Sequence, residues 1–290
     1  MARVAAFSNS FWGFDDSGVT ALVGRMSDAK ATNEELRHFF RERALIEEEY
    51  AKRLQKLAKV SLGEHESGTV KASIDVLKHE AAHSANQHTA AAQQLSQEVE
   101  TFFSTMAASI RERRKQTQSS VERVFRLKLQ QQAEVKRTKE RYETDCVKVN
   151  GYLAQQNLLL GRELEKNNAK LEKVQSTLHI SQADYNNATR ALQETVSKWI
   201  NEWRDACDKF QDLEEERLDA VKSGLWTYAN IVSQVCVTDD ESCEKLRVSL
   251  ESCDTRADIQ AFIEKKKTGN EIVHPPEIKS FQDGYDQPAQ

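Results

Sequence analysis

The chain has 290 residues, of which 30% are charged and only 7% aromatic, with 10 glycines and 3 prolines. All three prolines (Pro275, Pro276, Pro288) fall at the C-terminal end, so nothing in 1–274 forbids very long helices, and such a composition excludes an ordinary compact globule. The net charge of −5 and a sequence pI of about 5.9 argue against a nucleic-acid-binding domain, which is usually basic throughout.

The apolar pattern is helical almost throughout. Leu36, Phe40, Ala44, Tyr50, Leu54 and Leu57 mark the first stripe. Thr32 precedes it with Glu35 three residues on, a capping-box pattern at a helix start. Gly63 and Gly68 bracket a turn. A second stripe runs from Val70 through Leu77, Ala85, His88, Leu95, Val99, Phe102 and Ile110 toward Val149, with no breaker inside it. Some 80 residues of helix would extend roughly 120 Å. A loop is expected between Asn150 and Asn168, where Gly151, Gly161 and paired asparagines cluster. A third helix follows from Leu171 to Val235, with TDDES at 238–242 expected to break it and cap a short fourth helix reaching about Lys267. Pro275 and Pro276 then require extended chain, and the last residues read as a frayed tail.

Helices of this length must lie side by side to cover their stripes, so the fold class is all-α, an elongated antiparallel helical bundle. The stripes are wide enough to suggest a homodimer in which a second chain completes a six-helix core. After Arg3 only Val4–Phe7 are continuously apolar, so no secretory leader is expected. No apolar run approaches the ~20 residues of a spanning helix. Five cysteines without a CxxC pair read as reduced intracellular thiols in a soluble, cytosolic protein.

HEAAH at 79–83 has the spacing of a helical zinc site with a glutamate base. It fails on context. Asn86 and Thr89 stand where a metzincin extension needs glycine and histidine, and Glu98 lies ~28 Å along the same helix. His88, on the stripe, reads as a hydrogen-bonded core or interface histidine. No GxGxxG, P-loop or GxSxG is present, and acid runs such as DLEEER at 212–217 read as solvated helix faces. No enzyme, metal or cofactor is expected.

Charge is unevenly placed. Residues 111–141 carry 11 Lys/Arg against 4 Glu, whereas 201–264 carry 7 against 16 acids. On a helical projection Arg111, Lys115, Arg123, Arg126, Lys136 and Arg141 fall within about a third of the circle, opposite the apolar stripe. Glu112, Glu122, Glu134 and Glu140 share that side, so a merely solvated face is one reading. A positive surface on an otherwise acidic chain favours an anionic membrane over nucleic acid as the partner.

FSNSFWG near the start, ELRHFFRERALIEEEYAKRLQKLAK at 35–59, ERYETDC, LWTYANIVSQV and DIQAFIEKKKTGNEIVHPPEIKSF together resemble the F-BAR (FCH-BAR) family over about 5–283. The FW start and the PP ending are most similar to the fungal contractile-ring F-BAR proteins and their animal PSTPIP relatives. The resemblance implies a crescent-shaped antiparallel homodimer, with higher oligomers on the membrane and contacts at the tip formed by the middle loop. It implies binding of phosphatidylserine and phosphoinositides through a concave basic face, and cytokinesis or actin-regulating protein partners. The F-BAR domain would occupy 1–275, with the FCH region at about 10–65, the remaining helices at about 69–267 and a tail at 276–290. The implied location is peripheral, on the cytosolic face of the plasma membrane at the cell cortex or division site. Longer members add a disordered region and often an SH3 domain. Motif by motif, the lipid-binding residues carried over are Arg41, Arg43, Lys59, Arg114, Lys115 and Arg123. Charge alone adds Arg111, Arg126, Lys136 and Arg137. Glu122 stands where related domains often have a basic residue. An interaction rod that binds partner peptides with little lipid contact is the rival reading.

Overall fold

The computed structural model describes residues 6–276. Six α-helices follow in order among the described residues: α1 (Phe7–Ser10), α2 (Ser17–Ala58), α3 (Gly68–Gln94), α4 (Thr101–Gln156), α5 (Gly161–Glu251) and α6 (Thr255–Lys266). A π-helical turn, Leu95–Glu100, joins α3 to α4 without a break. No strand occurs among the described residues.

Four sequence expectations shift. The first long helix starts at Ser17, so Thr32 is not a cap; its hydroxyl donates to the Asp28 carbonyl 3.2 Å away within the helix. The middle connection is only 157–160, because Gly151 lies inside α4, where one glycine costs about 1 kcal/mol and does not break a long helix. TDDES does not interrupt α5. Asp239 accepts from the Ser84 hydroxyl at 2.9 Å, so its carboxylate is held across the bundle instead of turning back to cap. The break falls later, and Asp254 caps α6 by accepting from the backbone N–H groups of Arg256 and Ala257.

The chain packs as two bodies. The larger contains 6–49 and 88–235. In it α4 and α5 run antiparallel: Arg141 pairs with Asp184, Val124 packs with Trp199 and Trp203, and Arg113 pairs with Glu216. Gly224 permits a close approach, since a Cβ there would lie 2.5 Å from the Phe103 ring. One apolar cluster gathers Leu22, Met26, Val121, Val124, Trp199, Trp203 and Phe210; another gathers Phe40, Leu95, Val99, Phe103, Ile110 and Ile231. The opening FSNSFW stretch is part of the first. Phe7 N–H donates to Gln211 Oε1 at 2.8 Å, and Phe7, Phe11 and Trp12 pack on the cluster. Burial pushes the Cys207 thiol up to about 12, with the Asp208 carboxylate adding to it, so this cysteine is an inert core residue.

Glu214 lies buried between Arg217, 2.8 Å away, and Arg25. Burial opposes its ionisation, yet the hydrogen bonds from the two guanidiniums outweigh that and hold the carboxyl below the usual range. A carboxyl depressed in the folded state gives stability that is present above its unfolded pKa and lost as pH falls through the folded one. The urea midpoint is therefore expected to fall below about pH 4.3, and Glu214→Gln to flatten that slope while lowering stability at neutral pH.

The smaller body contains 50–87 and 236–276. Here α3 and α5 are antiparallel too, joined by Ser73 to Ser249, Ser84 to Asp239 and Glu80 to Lys245. Gly68, at φ +75°, opens α3, and Asp258 of α6 caps it by accepting from Thr69 N–H, Thr69 Oγ1–H and Val70 N–H at 2.8–3.0 Å. Those bonds hold the Asp258 carboxyl below its usual range. Among the described residues, no apolar side chain larger than alanine is buried in this body, whereas Leu57, Val60, Val248, Phe262 and Ile263 stand open to solvent.

Candidate functional site

The basic segment lies wholly on α4, in the larger body. Arg111, Lys115, Arg123, Arg126 and Lys136 are exposed and form no ion pair among the described residues. They spread along one face for about 38 Å. The carboxylates interleaved with them are tied to neighbours on the same helix. Glu112 accepts from Gln116 at 3.1 Å and Glu122 from Gln118 at 2.7 Å. Glu134 is gripped by two hydrogen bonds from Arg137, which hold its carboxyl below the usual range. Helical neighbours thus restrain the negative charge, while the five cations project freely.

The other basic residues divide by environment. Arg41 is exposed on the rim of a groove of about 330 Å³ between α2 and the π-turn, lined also by Leu45, Glu48, Gln93, Gln97 and Glu100. Lys59, just after α2, is exposed in the smaller body. Arg137 is exposed but engaged with Glu134. Arg114 is half-buried near Met26 and Ile110, donating to Gln118 at 3.0 Å with its Nε buried and unbonded. Arg43 turns inward. It pairs with one oxygen of Glu47, while His88, only 6% exposed, takes the other. Burial would lower the Arg43 pKa, but Glu47 and the Tyr228 hydroxyl outweigh it and raise it. His88 is thus the hydrogen-bonded core histidine expected from the stripe. Replacing Glu47 by alanine leaves a guanidinium with neither counter-charge nor full hydration. We expect a loss of about 2 kcal/mol or more of stability, discounted from fully buried pairs because Arg43 keeps some exposure. Chemical denaturation measures it.

Sequence reasoning missed Lys128. It is buried, pairs with Asp16 at 2.6 Å and lies 5.5 Å from the centre of the Trp199 ring. Its signal was present: Lys128 follows Val121 by seven and Val124 by four, on the apolar stripe. In HEAAH, Glu80 is buried and pairs with Lys245 at 3.1 Å; its own burial works against ionisation, but the bond from Lys245 helps keep the carboxyl low. It is a structural carboxylate. No helix among the described residues is long and apolar enough to cross a membrane.

Residues 18–90 match the profile of the Fes/CIP4, and EFC/F-BAR homology domain. The solved structure of the Imp2 F-BAR domain is 43% identical, covers 98% of this chain and 95% of its own, and superposes with a TM-score of 0.80. This chain belongs to the F-BAR family. Among full-length relatives, septation protein imp2 of Schizosaccharomyces pombe is 43% identical over 96% of the chain, and cell division control protein 15 of the same organism 33% identical over 95%. The chain spans 42% and 30% of those two proteins' lengths.

Proposed function

We propose that this F-BAR domain is a non-enzymatic, dimeric scaffold that binds the cytosolic leaflet of the plasma membrane through anionic phospholipid, phosphatidylserine and phosphoinositides, and links it to cytokinetic or cortical-actin proteins. One observation carries the lipid reading: five unpaired cations share one exposed face of α4. Each basic residue near an anionic leaflet contributes about 1 kcal/mol, so five suffice for reversible peripheral binding. Arg41, Arg114 and Arg137 add to that field, and Lys59 is a lipid contact of the smaller body; Arg43 contributes by positioning α2 through Glu47. The dimer is supported by the smaller body, whose large apolar side chains are all left partly or fully open. A second chain would cover them. The septation and cell-division relatives favour work at the division site.

The test is co-sedimentation of the purified chain with liposomes, anionic against neutral, at low and high salt. Pelleting restricted to anionic liposomes and weakened by salt supports the reading, since exposed charges are screened over about 8–10 Å. Absence of pelleting on every anionic mixture would sink it and favour the protein-binding rod.

A further inference from the structure

One asparagine is out of place on the inward face of α2. Leu22, Met26, Ala29, Phe40 and Ala44 enter the core at helical spacing, and Asn33 stands in that series at 2% exposure. Its Oδ1 is buried and meets no protein donor. A second unmet group belongs to Arg114 of α4. Its Nη1 donates to Gln118 at 3.0 Å, but its Nε–H is buried and meets no protein acceptor. The two residues line one cavity of about 10 Å³, walled by Met26, Ala29, Ala107 and Ile110. Lys30, Glu34 and Arg111 complete its lining.

A buried donor and a buried acceptor are both costly to leave unmade. Here they are complementary, so a ligand that answers both must accept on one side and donate on the other. The cavity has room for one water and nothing larger. A cation is disfavoured by Lys30, Arg111 and Arg114, because Glu34, the acid beside them, already accepts from Arg37 at 3.0 Å. An anion would be repelled by the Asn33 oxygen. We propose that this cavity binds a single water, which accepts from Arg114 Nε–H and donates to Asn33 Oδ1, and that Asn33 is thereby a positioning residue for Arg114. With Nε tied to α2 and Nη1 tied to Gln118, the guanidinium is fixed before it meets a leaflet. Gln118 extends the chain by donating to Glu122 at 2.7 Å, so a buried water anchors hydrogen bonds that end on the exposed face. The water site stands on the cavity and its two polar atoms; its use in lipid binding rests on the membrane reading above.

A high-resolution crystal structure of the chain tests the site. One ordered water is expected within about 2.7–3.2 Å of both Asn33 Oδ1 and Arg114 Nε. A direct bond between the two side chains, or no water between them, overturns the proposal. Liposome co-sedimentation tests the positioning. Asn33→Leu keeps the bulk of the side chain and removes the acceptor, so Arg114 has to be ordered on binding. Pelleting with phosphatidylserine liposomes is expected to weaken about 2- to 10-fold, and Asn33→Leu is expected to add nothing in an Arg114→Met background. Unchanged pelleting overturns the positioning role. An equal loss in both backgrounds also overturns it, since Asn33 would then act through α2–α4 packing alone. If the unsubstituted chain fails to pellet at all, the membrane reading falls and the positioning role with it, while the crystal structure still decides the water.

Discussion

Reversing Lys115, Arg123 and Arg126 to glutamate is expected to abolish pelleting with anionic liposomes while leaving helicity and the dimer intact. The three side chains are exposed and have no ion-pair partner among the described residues, so their reversal breaks nothing inside the fold. At about 1 kcal/mol each near an anionic surface, losing three attractions removes about 3 kcal/mol, and three new repulsions add to that. A tenfold change in partitioning needs about 1.4 kcal/mol, so the loss exceeds about 100-fold. Arg137→Glu is the internal comparison. Its guanidinium is already spent on Glu134 in two hydrogen bonds, so that substitution is expected to weaken binding several-fold less than a reversal at Arg126. Equal losses at both positions would mean that the net charge of the helix, not the free cations, governs binding. An undiminished triple variant would remove α4 from the lipid surface altogether.

Trp203→Ala is expected to be the most damaging single change to the fold, with urea denaturation showing a loss of about 3–5 kcal/mol. Trp203 is 1% exposed and stacks on Trp199 with ring centres 5.5 Å apart. Its indole Nε1–H donates to the Phe11 carbonyl at 2.8 Å. Truncation therefore opens a cavity in the cluster joining α2, α4 and α5 and also releases the segment before α2. Trp203→Phe separates the two effects. It keeps much of the apolar volume but leaves the Phe11 carbonyl without its donor, which costs about 1–3 kcal/mol if that group stays buried. Hydrogen exchange in residues 7–12 should rise in both variants, and more in the alanine one. Unchanged stability in Trp203→Ala would show that the cluster can collapse around the void.

Much of the fold was legible because the chain lacks proline until Pro275, and because leucine, valine and aromatic residues recur at three- and four-residue spacing. The breaks were less legible. Gly151 reads as a turn residue, and Thr238 and Asp239 read as caps, but their helices are set by partners remote in sequence. Ser84 takes Asp239, and the long α4 absorbs Gly151. The free cations of α4 could be read from charge and azimuth alone. The fates of Arg113 and Arg43 differ in this respect: Glu216 is 103 residues from Arg113, beyond any local pattern, while Glu47 sits one turn from Arg43 and advertised the pair.

The π-turn at Leu95–Glu100 works as a phase correction. An α-helix advances 100° per residue, so one surplus residue threaded into a regular helix would swing everything after it by that angle. Widening a single turn takes up the surplus, so Ala91 before it, Leu95 and Val99 within it, and Phe103 and Ile110 after it share one cluster. The azimuth of all 56 residues of α4, its five free cations included, is thus referred to the α2 contacts made by Phe40 and Ala44. A deletion of one exposed residue within the turn, such as Gln97, would merely convert it to ordinary helix with both flanks still in phase. The same deletion two turns downstream has no widened turn to absorb it. It would turn the cations of α4 inward, Arg111 taking the buried direction of Ile110, and bring Phe103 and Ile110 out of step with each other, so reading-frame-preserving losses in this helix are tolerated at one place and ruinous at the next.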